Sequence, residues 1–233
     1  EWNGQPAGTA TTTAYSNDLA WIGMVIVHPD MRRRGIGNAL LEHCIEHLQQ
    51  NGARCIKLDA TPLGKPVYDQ LGFKDEWSLA RWEADGLAPD SERPPPASAD
   101  IAQLENYDAE SFGVNRAQML HALAAQSQTI IHASAANDID GYGMLRPGRN
   151  ASYLGPIVAD DLAAGRIIVH SLLSLGGGRR IFWDIPDRNT AAVDLAKQLG
   201  FTQQRVLTRM YLGENSKPGI PDNIWALAAP EIG

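Results

Sequence analysis

The sequence predicts an α/β protein made of two similar units, each a mixed β-sheet flanked by helices. Three observations predict it. Apolar segments of strand length alternate with amphipathic helical segments along most of the 233 residues. A stretch at 87–100 containing Pro89, Pro94, Pro95 and Pro96 interrupts this pattern. Consecutive prolines lack N–H donors and favour an extended linker. The segments on either side of it then recur in the same order. The expected division is a first unit at 1–86, a linker at 87–100 and a second unit at 101–233.

In the first unit, residues 6–15 are rich in Thr and Ala and read as a strand, closed by the turn signal Asn17-Asp18. Residues 19–27 are apolar with β-branched side chains and read as a buried strand. Residues 35–51 place Ile36, Leu40, Leu41, Cys44, Ile45 and Leu48 on one helical face, and Gly52 closes the helix. A strand at 53–59, a short helix at 66–71 stopped by Gly72, and a strand at 73–82 follow. The second unit reads as two helical stretches within 101–125, strands at 129–133, 142–146 and 151–158, and a helix at 161–175. A strand at 180–184, a helix at 190–199 and a strand at 205–212 complete it.

The repeat shows in particular residues. Gln70-Leu71-Gly72-Phe73 returns as Gln198-Leu199-Gly200-Phe201. Leu79 and Arg81 stand seven and nine residues after Gly72, as Leu207 and Arg209 do after Gly200. Trp21-Ile22-Gly23 returns as Tyr153-Leu154-Gly155 in the strand before each long helix.

A formal charge of −7 argues against nucleic acid as a partner, since phosphate-backbone binding needs a basic surface. The apolar runs are too short for a bilayer, so no membrane association is expected. Cys44 and Cys55 carry no spacing motif, which fits reduced thiols in the cytoplasm. No CxxC, HExxH or His/Cys cluster supports a metal site.

The segment 25–38 carries the chemistry: Val25-Ile26-Val27, a turn through His28-Pro29, then Arg32-Arg33-Arg34-Gly35-Ile36-Gly37-Asn38 opening a helix. The first turn of a helix leaves N–H groups without partners, and its dipole favours an anion. Glycines let a phosphate approach the backbone, and the arginines supply positive charge in an acidic chain. Taken alone, the glycine pair could equally serve packing and the arginines a solvated turn. The segment is not a GxxxxGK[ST] loop, and it lacks the third glycine of a dinucleotide fingerprint.

Arg32-Arg33-Arg34-Gly35-Ile36-Gly37 resembles the [Q/R]-x-x-G-x-[G/A] signature of the GNAT acetyltransferases. Val27-His28-Pro29 resembles that family's V-x-P turn, and Tyr68, four residues before Gly72-Phe73, its conserved tyrosine segment. The likeness covers about residues 5–83. It implies acetyl-CoA as acyl donor and direct transfer to an amine of a small molecule or peptide. It also implies pantetheine pairing by Val25, Ile26 and Val27, and pyrophosphate binding by Arg32, Arg33, Arg34, Gly35, Ile36, Gly37 and Asn38. Tyr68 would be the acid for the leaving thiolate. Thr61 stands where many members carry a cofactor-contacting asparagine. No base is marked; Asp18, Asp75, Glu76 and His28 are the nearby titratable residues, each expected at the surface. A complete domain of this family would carry a strand and two helices before the position of Glu1. The family also leaves room for a homodimer.

The second unit resembles the C-terminal domain of tandem GNAT proteins through 108–113 with Arg116 and through 207–210. Its cradle is degraded, with Asp160 and Asp161 where cations are needed, and Ala196 stands at the place of Tyr68. No transfer is expected there. Its expected role is to wall the acceptor cleft, with Tyr142, Tyr153 and Trp183 as lining or core residues and Arg166, Arg179 and Arg180 as an anion patch or solvated charges.

Overall fold

A computed structural model describes residues 1–86, 101–133, 138–176 and 178–233. The linker expected at 87–100 lies outside the described residues. Two compact units form. The first holds Glu1–Glu76, Thr208–Lys217 and Pro230–Gly233; the second holds Trp77–Leu207 and Pro218–Ala229.

The first unit begins with an antiparallel hairpin, β1 (Gly8–Ser16) and β2 (Leu19–Val27), turning at Asn17-Asp18. The helix α1 (Ile36–Gln50) crosses over to β3 (Cys55–Ala60), which lies parallel to β2. Leu41, Cys44 and Leu48 form the buried stripe of α1, spaced for one helical face. They pack on Ala20, Ile22, Ile56, Leu58 and Phe73. The short helix α2 (Lys65–Gln70) leads into β4 (Lys74–Ala84).

The second unit contains α3 (Leu104–Phe112), α4 (Ala117–Ala124), β5 (Gln128–Ala133), β6 (Ile139–Arg146), β7 (Ser152–Ala159) and α5 (Leu162–Ser174). They are followed by β8 (Ile181–Pro186), α6 (Thr190–Gln198), β9 (Thr202–Gly213) and β10 (Ile224–Ala226). Strands β5, β6 and β7 run antiparallel in sequence, while β7 and β8 are parallel. One face of this sheet packs on α5 and α6 in an apolar core that includes Trp183, Ile168, Leu172 and Phe201, and the other packs Tyr142, Met144 and Val158 against Leu104 of α3 and Leu120 of α4.

The duplicated motif has the same geometry twice. Leu71 and Leu199 end α2 and α6 with nearly equal dihedrals, φ −85° and −83°. Gly72 and Gly200 then turn left-handed at φ +87° and +81°, which favours glycine. The amide of Phe73 donates to the carbonyl of Tyr68 at 3.1 Å, and that of Phe201 to Ala196 at 2.9 Å. Tyr68 and Ala196 are therefore equivalent positions.

The compact units do not follow the continuous stretches 1–86 and 101–233. Each sequence repeat lends its last strand to the other unit. Residues 79–84 of β4 run antiparallel to 181–186 of β8. Residues 208–213 of β9 run antiparallel to 55–60 of β3. Buried ion pairs fix both exchanges. Arg81 grips Asp184 through two hydrogen bonds of 2.8 and 2.7 Å, and Arg209 grips Asp59 through two of 2.9 Å. The repeated arginine thus finds its carboxylate in the other half of the sequence, a relation invisible to local pattern.

Candidate active site

The candidate site lies where β2 leaves β3. Their ladder consists of Ala20↔Ile56 and Trp21↔Lys57. Beyond it, β2 continues to Val27 while still paired with β1 on its other edge. The edge facing β3 is left with main-chain donors and acceptors and no ladder. A bulge marks the departure: the register with β1 slips between Thr9 and Thr11, and Met24 sits at φ +51°. A non-glycine residue in that region is uncommon and points to a functional constraint. Crevices at the carboxyl ends of diverging parallel strands are the usual ligand positions of α/β sheets. Ile26 is exposed here, while Val25 and Val27 are half-buried.

The chain then makes a 3-10 turn at Pro29–Met31, capped by the exposed His28. Arg32 closes it: its N–H donates to Pro29 O at 3.3 Å and its Nε to Val27 O at 3.3 Å. Arg32 therefore ties the turn to the strand end, while Arg33 and Arg34 are exposed beside it. Gly35 is the N-cap of α1, at φ +78°, with no side-chain cap. The N–H groups of Ile36, Gly37 and Asn38 accordingly stay open among the described residues, the first intrahelical acceptor being Gly35 O for Ala39 N at 3.0 Å. The two glycines differ. A Cβ on Gly35 would meet nothing within 4 Å, so only backbone conformation demands glycine there. A Cβ on Gly37 would touch Val27 Cγ2 at 3.7 Å, an ordinary contact that alanine tolerates.

Tyr68 stands in α2, half-buried, edge-on to Phe73 with ring centroids 6.0 Å apart. It packs on the same apolar cluster as Val25. Burial pushes its phenol above the ordinary value of 10. Its hydroxyl makes no hydrogen bond among the described residues. Thr61 lies beside it, for a Cβ on Gly64 would have Thr61 Oγ1 at 3.3 Å and the Tyr68 hydroxyl at 3.6 Å. Thr61 Oγ1 already accepts from Gly64 N at 3.1 Å, which shapes the entry to α2.

The titratable neighbours are mostly committed. Asp18 pairs with Arg54, and Asp75 with Lys65 at 2.9 Å. Glu76, expected as a solvated charge, is instead buried. It accepts from Lys57 Nζ and Asn215 Nδ2, each at 2.8 Å. The correction follows from strand geometry: β4 points Glu76 inward toward a lysine on β3 whose charged form burial disfavours.

Two descriptions of known families match these sequences. The acetyltransferase (GNAT) domain model covers residues 104–226, more than half of the chain, and the acetyltransferase (GNAT) family model covers 1–73. The chain belongs to the GNAT acetyltransferase family. An uncharacterized N-acetyltransferase of Bacillus subtilis, YitH, is 31% identical over 192 residues, covering 78% of this chain and 66% of its own length. A holothin acyltransferase of a Pseudoalteromonas species is 23% identical over 239 residues, covering 99% and 79%. The crystal structure of an acetyltransferase candidate from Pyrococcus horikoshii superposes with a TM-score of 0.83 at 25% identity, covering 99% of this chain and 78% of that one.

The second GNAT unit shows what the open slot looks like when filled. Strands β7 and β8 also pair over three residues, 152–154 with 181–183. Beyond that, β10 pairs with β7 through Ile224↔Val158 and Ala226↔Ile157. On its other side Leu227 N donates to Asp184 O at 2.9 Å, and Trp183 Nε1 to Trp225 O at 2.8 Å. The chain's own segment thus spans the parting strands. At the start of α5, Asp161 accepts from Ala164 N at 2.8 Å, a carboxylate cap where α1 has none. Burial first, then the hydrogen bond to Asp160 and the charges of Asp160, Asp140 and Asp161, push the Tyr107 phenol far above its ordinary value. A phosphate would meet carboxylates there.

Other expected residues are structural. Tyr142 and Trp183 are fully buried core rather than cleft lining. Tyr142 donates to Asp108, which also holds Arg116 at 2.8 and 2.9 Å. Arg180 pairs with Asp85 and Arg179 donates to Gly148 O, so these two do not form an anion patch. Calorimetry with acetyl-CoA is expected to give one site per chain; a stoichiometry of two would show that β10 is displaced and the second slot used.

Proposed function

We propose that the first unit binds acetyl-CoA and transfers its acetyl group directly to an amine. The observation that carries this is the unladdered edge of β2 running into an uncapped helix start. An amide-bearing chain can add to the edge at Val25, Ile26 and Val27 as a strand would. The open N–H groups of Ile36, Gly37 and Asn38, with Arg33 and Arg34 beside them, suit a pyrophosphate at the end of that chain. Arg32 holds the turn in shape. The α2 entry, shaped by Thr61, presents Tyr68.

In the reaction, the amine nitrogen bonds to the thioester carbonyl carbon and the C–S bond breaks. Its electron pair goes to sulfur, and Tyr68 supplies the proton that neutralises it. A phenol with a raised pKa keeps that proton at physiological pH and is close in basicity to the thiolate it serves. The nitrogen's excess proton leaves to solvent. The two free, buried thiols Cys44 and Cys55 support a reducing compartment such as the cytoplasm.

The test is calorimetric binding of acetyl-CoA to wild type, Gly35→Glu and Gly37→Ala. Gly35→Glu forces a side chain into left-handed backbone, at about 1–2 kcal/mol, and sets a carboxylate against the cradle. Its affinity is expected to fall by about tenfold or more. Gly37→Ala is expected to bind within about threefold of wild type, since its methyl meets ordinary contacts. A wild type that binds no acetyl-CoA would overturn the proposal.

A further inference from the structure

The segment Pro230–Gly233 belongs to the first unit, although the residues just before it belong to the second. It is held at the place where β2 and β3 part. Trp21 Nε1 donates to Pro230 O at 3.1 Å, and the Tyr15 hydroxyl donates to Ile232 O. Between these anchors, Glu231 lies directly over Gly23. A Cβ on Gly23 would stand 2.5 Å from Glu231 O and 2.8 Å from both its Cα and Cβ. Glycine at this position is therefore what admits the segment.

Gly23 is the second residue after the last rung of the β2–β3 ladder, and it precedes the bulge residue Met24. By strand alternation it faces away from the α1 side, because its neighbour Ile22 packs in the cluster under α1. In the transfer reading above, the donor anchored at the α1 start comes from the α1 side. The acceptor must then approach from the face that carries Trp21, Gly23 and Glu231.

The other charges on that face are neutralised. Arg209 stacks over Trp21, its guanidinium carbon 4.4 Å from the ring, and is gripped by Asp59. Lys57 is paired with Glu76. Glu231 is half-buried and makes no ion pair or hydrogen bond among the described residues. Its carboxylate is thus without a counter-charge among the described residues, on a half-buried residue that lies over Gly23, where a cation is held more strongly than at an open surface.

We propose that Glu231 is the acceptor-recognition residue of the first unit and that the acceptor class is cationic. It would be an aliphatic amine or diamine whose cationic form the carboxylate draws in; the reacting nitrogen gives up its proton to solvent before it attacks the acyl carbon, and in a diamine the second ammonium stays on the carboxylate. This rests on the acetyl-transfer reading above.

The test compares wild type, Glu231→Gln and Glu231→Asp as full chains. Acetyl-CoA binding is followed by calorimetry, and transfer by thiol release. The acceptors are n-butylamine, 1,4-diaminobutane and aniline, the last neutral at pH 7.5. Glu231→Gln is expected to bind acetyl-CoA like wild type and to keep its rate with aniline. Its kcat/KM for the two cationic amines is expected to fall about 10- to 100-fold, the worth of a hydrogen bond to a charged group, mainly through KM. Glu231→Asp should fall between. Equal loss with aniline would mean a structural role and overturn the proposal. So would unchanged kcat/KM for the cationic amines, or a wild type that binds acetyl-CoA and acetylates neither of them. A wild type that binds no acetyl-CoA fails at the earlier step and overturns the transfer reading itself.

Discussion

Tyr68→Phe is expected to lower kcat by about 10²–10⁴-fold, the usual contribution of a positioned general acid. Acetyl-CoA affinity should change by no more than about twofold, because in the proposed reaction the lost hydroxyl serves the leaving group rather than the bound donor. The substitution keeps the ring that packs edge-on to Phe73 and against the cluster under α1. It also removes a hydroxyl that has no hydrogen-bond partner among the described residues, so little stability should be lost. The pH profile adds a second check. Burial raises the Tyr68 phenol, so its protonated form persists until pH exceeds the ordinary value of 10, and only above that should wild-type turnover fall through this group. The variant should lack that alkaline fall. Stopped-flow thiol detection with an active amine reads both quantities. Undiminished turnover would remove Tyr68 from the acid role. A wild type that binds acetyl-CoA and turns over no amine would leave a non-catalytic acyl-CoA-binding module.

Asp59→Ala is expected to destabilise the protein by about 3–5 kcal/mol, because it takes the bidentate carboxylate away from a buried arginine. The Asp59 and Arg209 side chains are 0% and 3% exposed, so water cannot replace the lost partner cheaply. That is a large part of the about 5–15 kcal/mol that holds a typical domain folded. The double variant Asp59→Leu with Arg209→Met should recover most of the loss, since removing both charges avoids the unpaired one. Urea unfolding of the three proteins measures the difference. A single variant as stable as wild type would mean that the guanidinium finds another partner. Arg209 also stacks on Trp21, on the face that the proposed reading gives to the acceptor, so in that reading the single variant should lose activity along with stability.

Much of the first unit was legible because its signals are local. The glycines at 35, 52 and 72 punctuate helices wherever the chain folds, since left-handed backbone favours them. The apolar stripe of α1 and the all-apolar β2 announce burial through periodicity alone. The uncapped helix start at 35–38 and the helix ending that follows Tyr68 are local as well, each carried within a few residues. The repeat, too, was visible as Gln-Leu-Gly-Phe twice, and both copies adopt the same helix ending.

What the sequence by itself determined is this alternation of elements, the duplication, the family resemblance and the position of the uncapped helix start. Tertiary structure alone decided which strand completes which sheet, where the exposed edge of β2 begins, and what fills the matching slot of the second unit. Arg81 and Asp184 are 103 residues apart, and Arg209 and Asp59 are 150 apart. Trp21 and Pro230 are 209 apart. No local propensity encodes such pairs. They form because buried charges and main-chain groups must find partners somewhere, and only the closed fold supplies the partner's address. Glu231 belongs to this second class. Its one sequence trace is Gly23, a residue without a side chain in the middle of an apolar strand, whose meaning becomes plain when the segment that crosses it is seen.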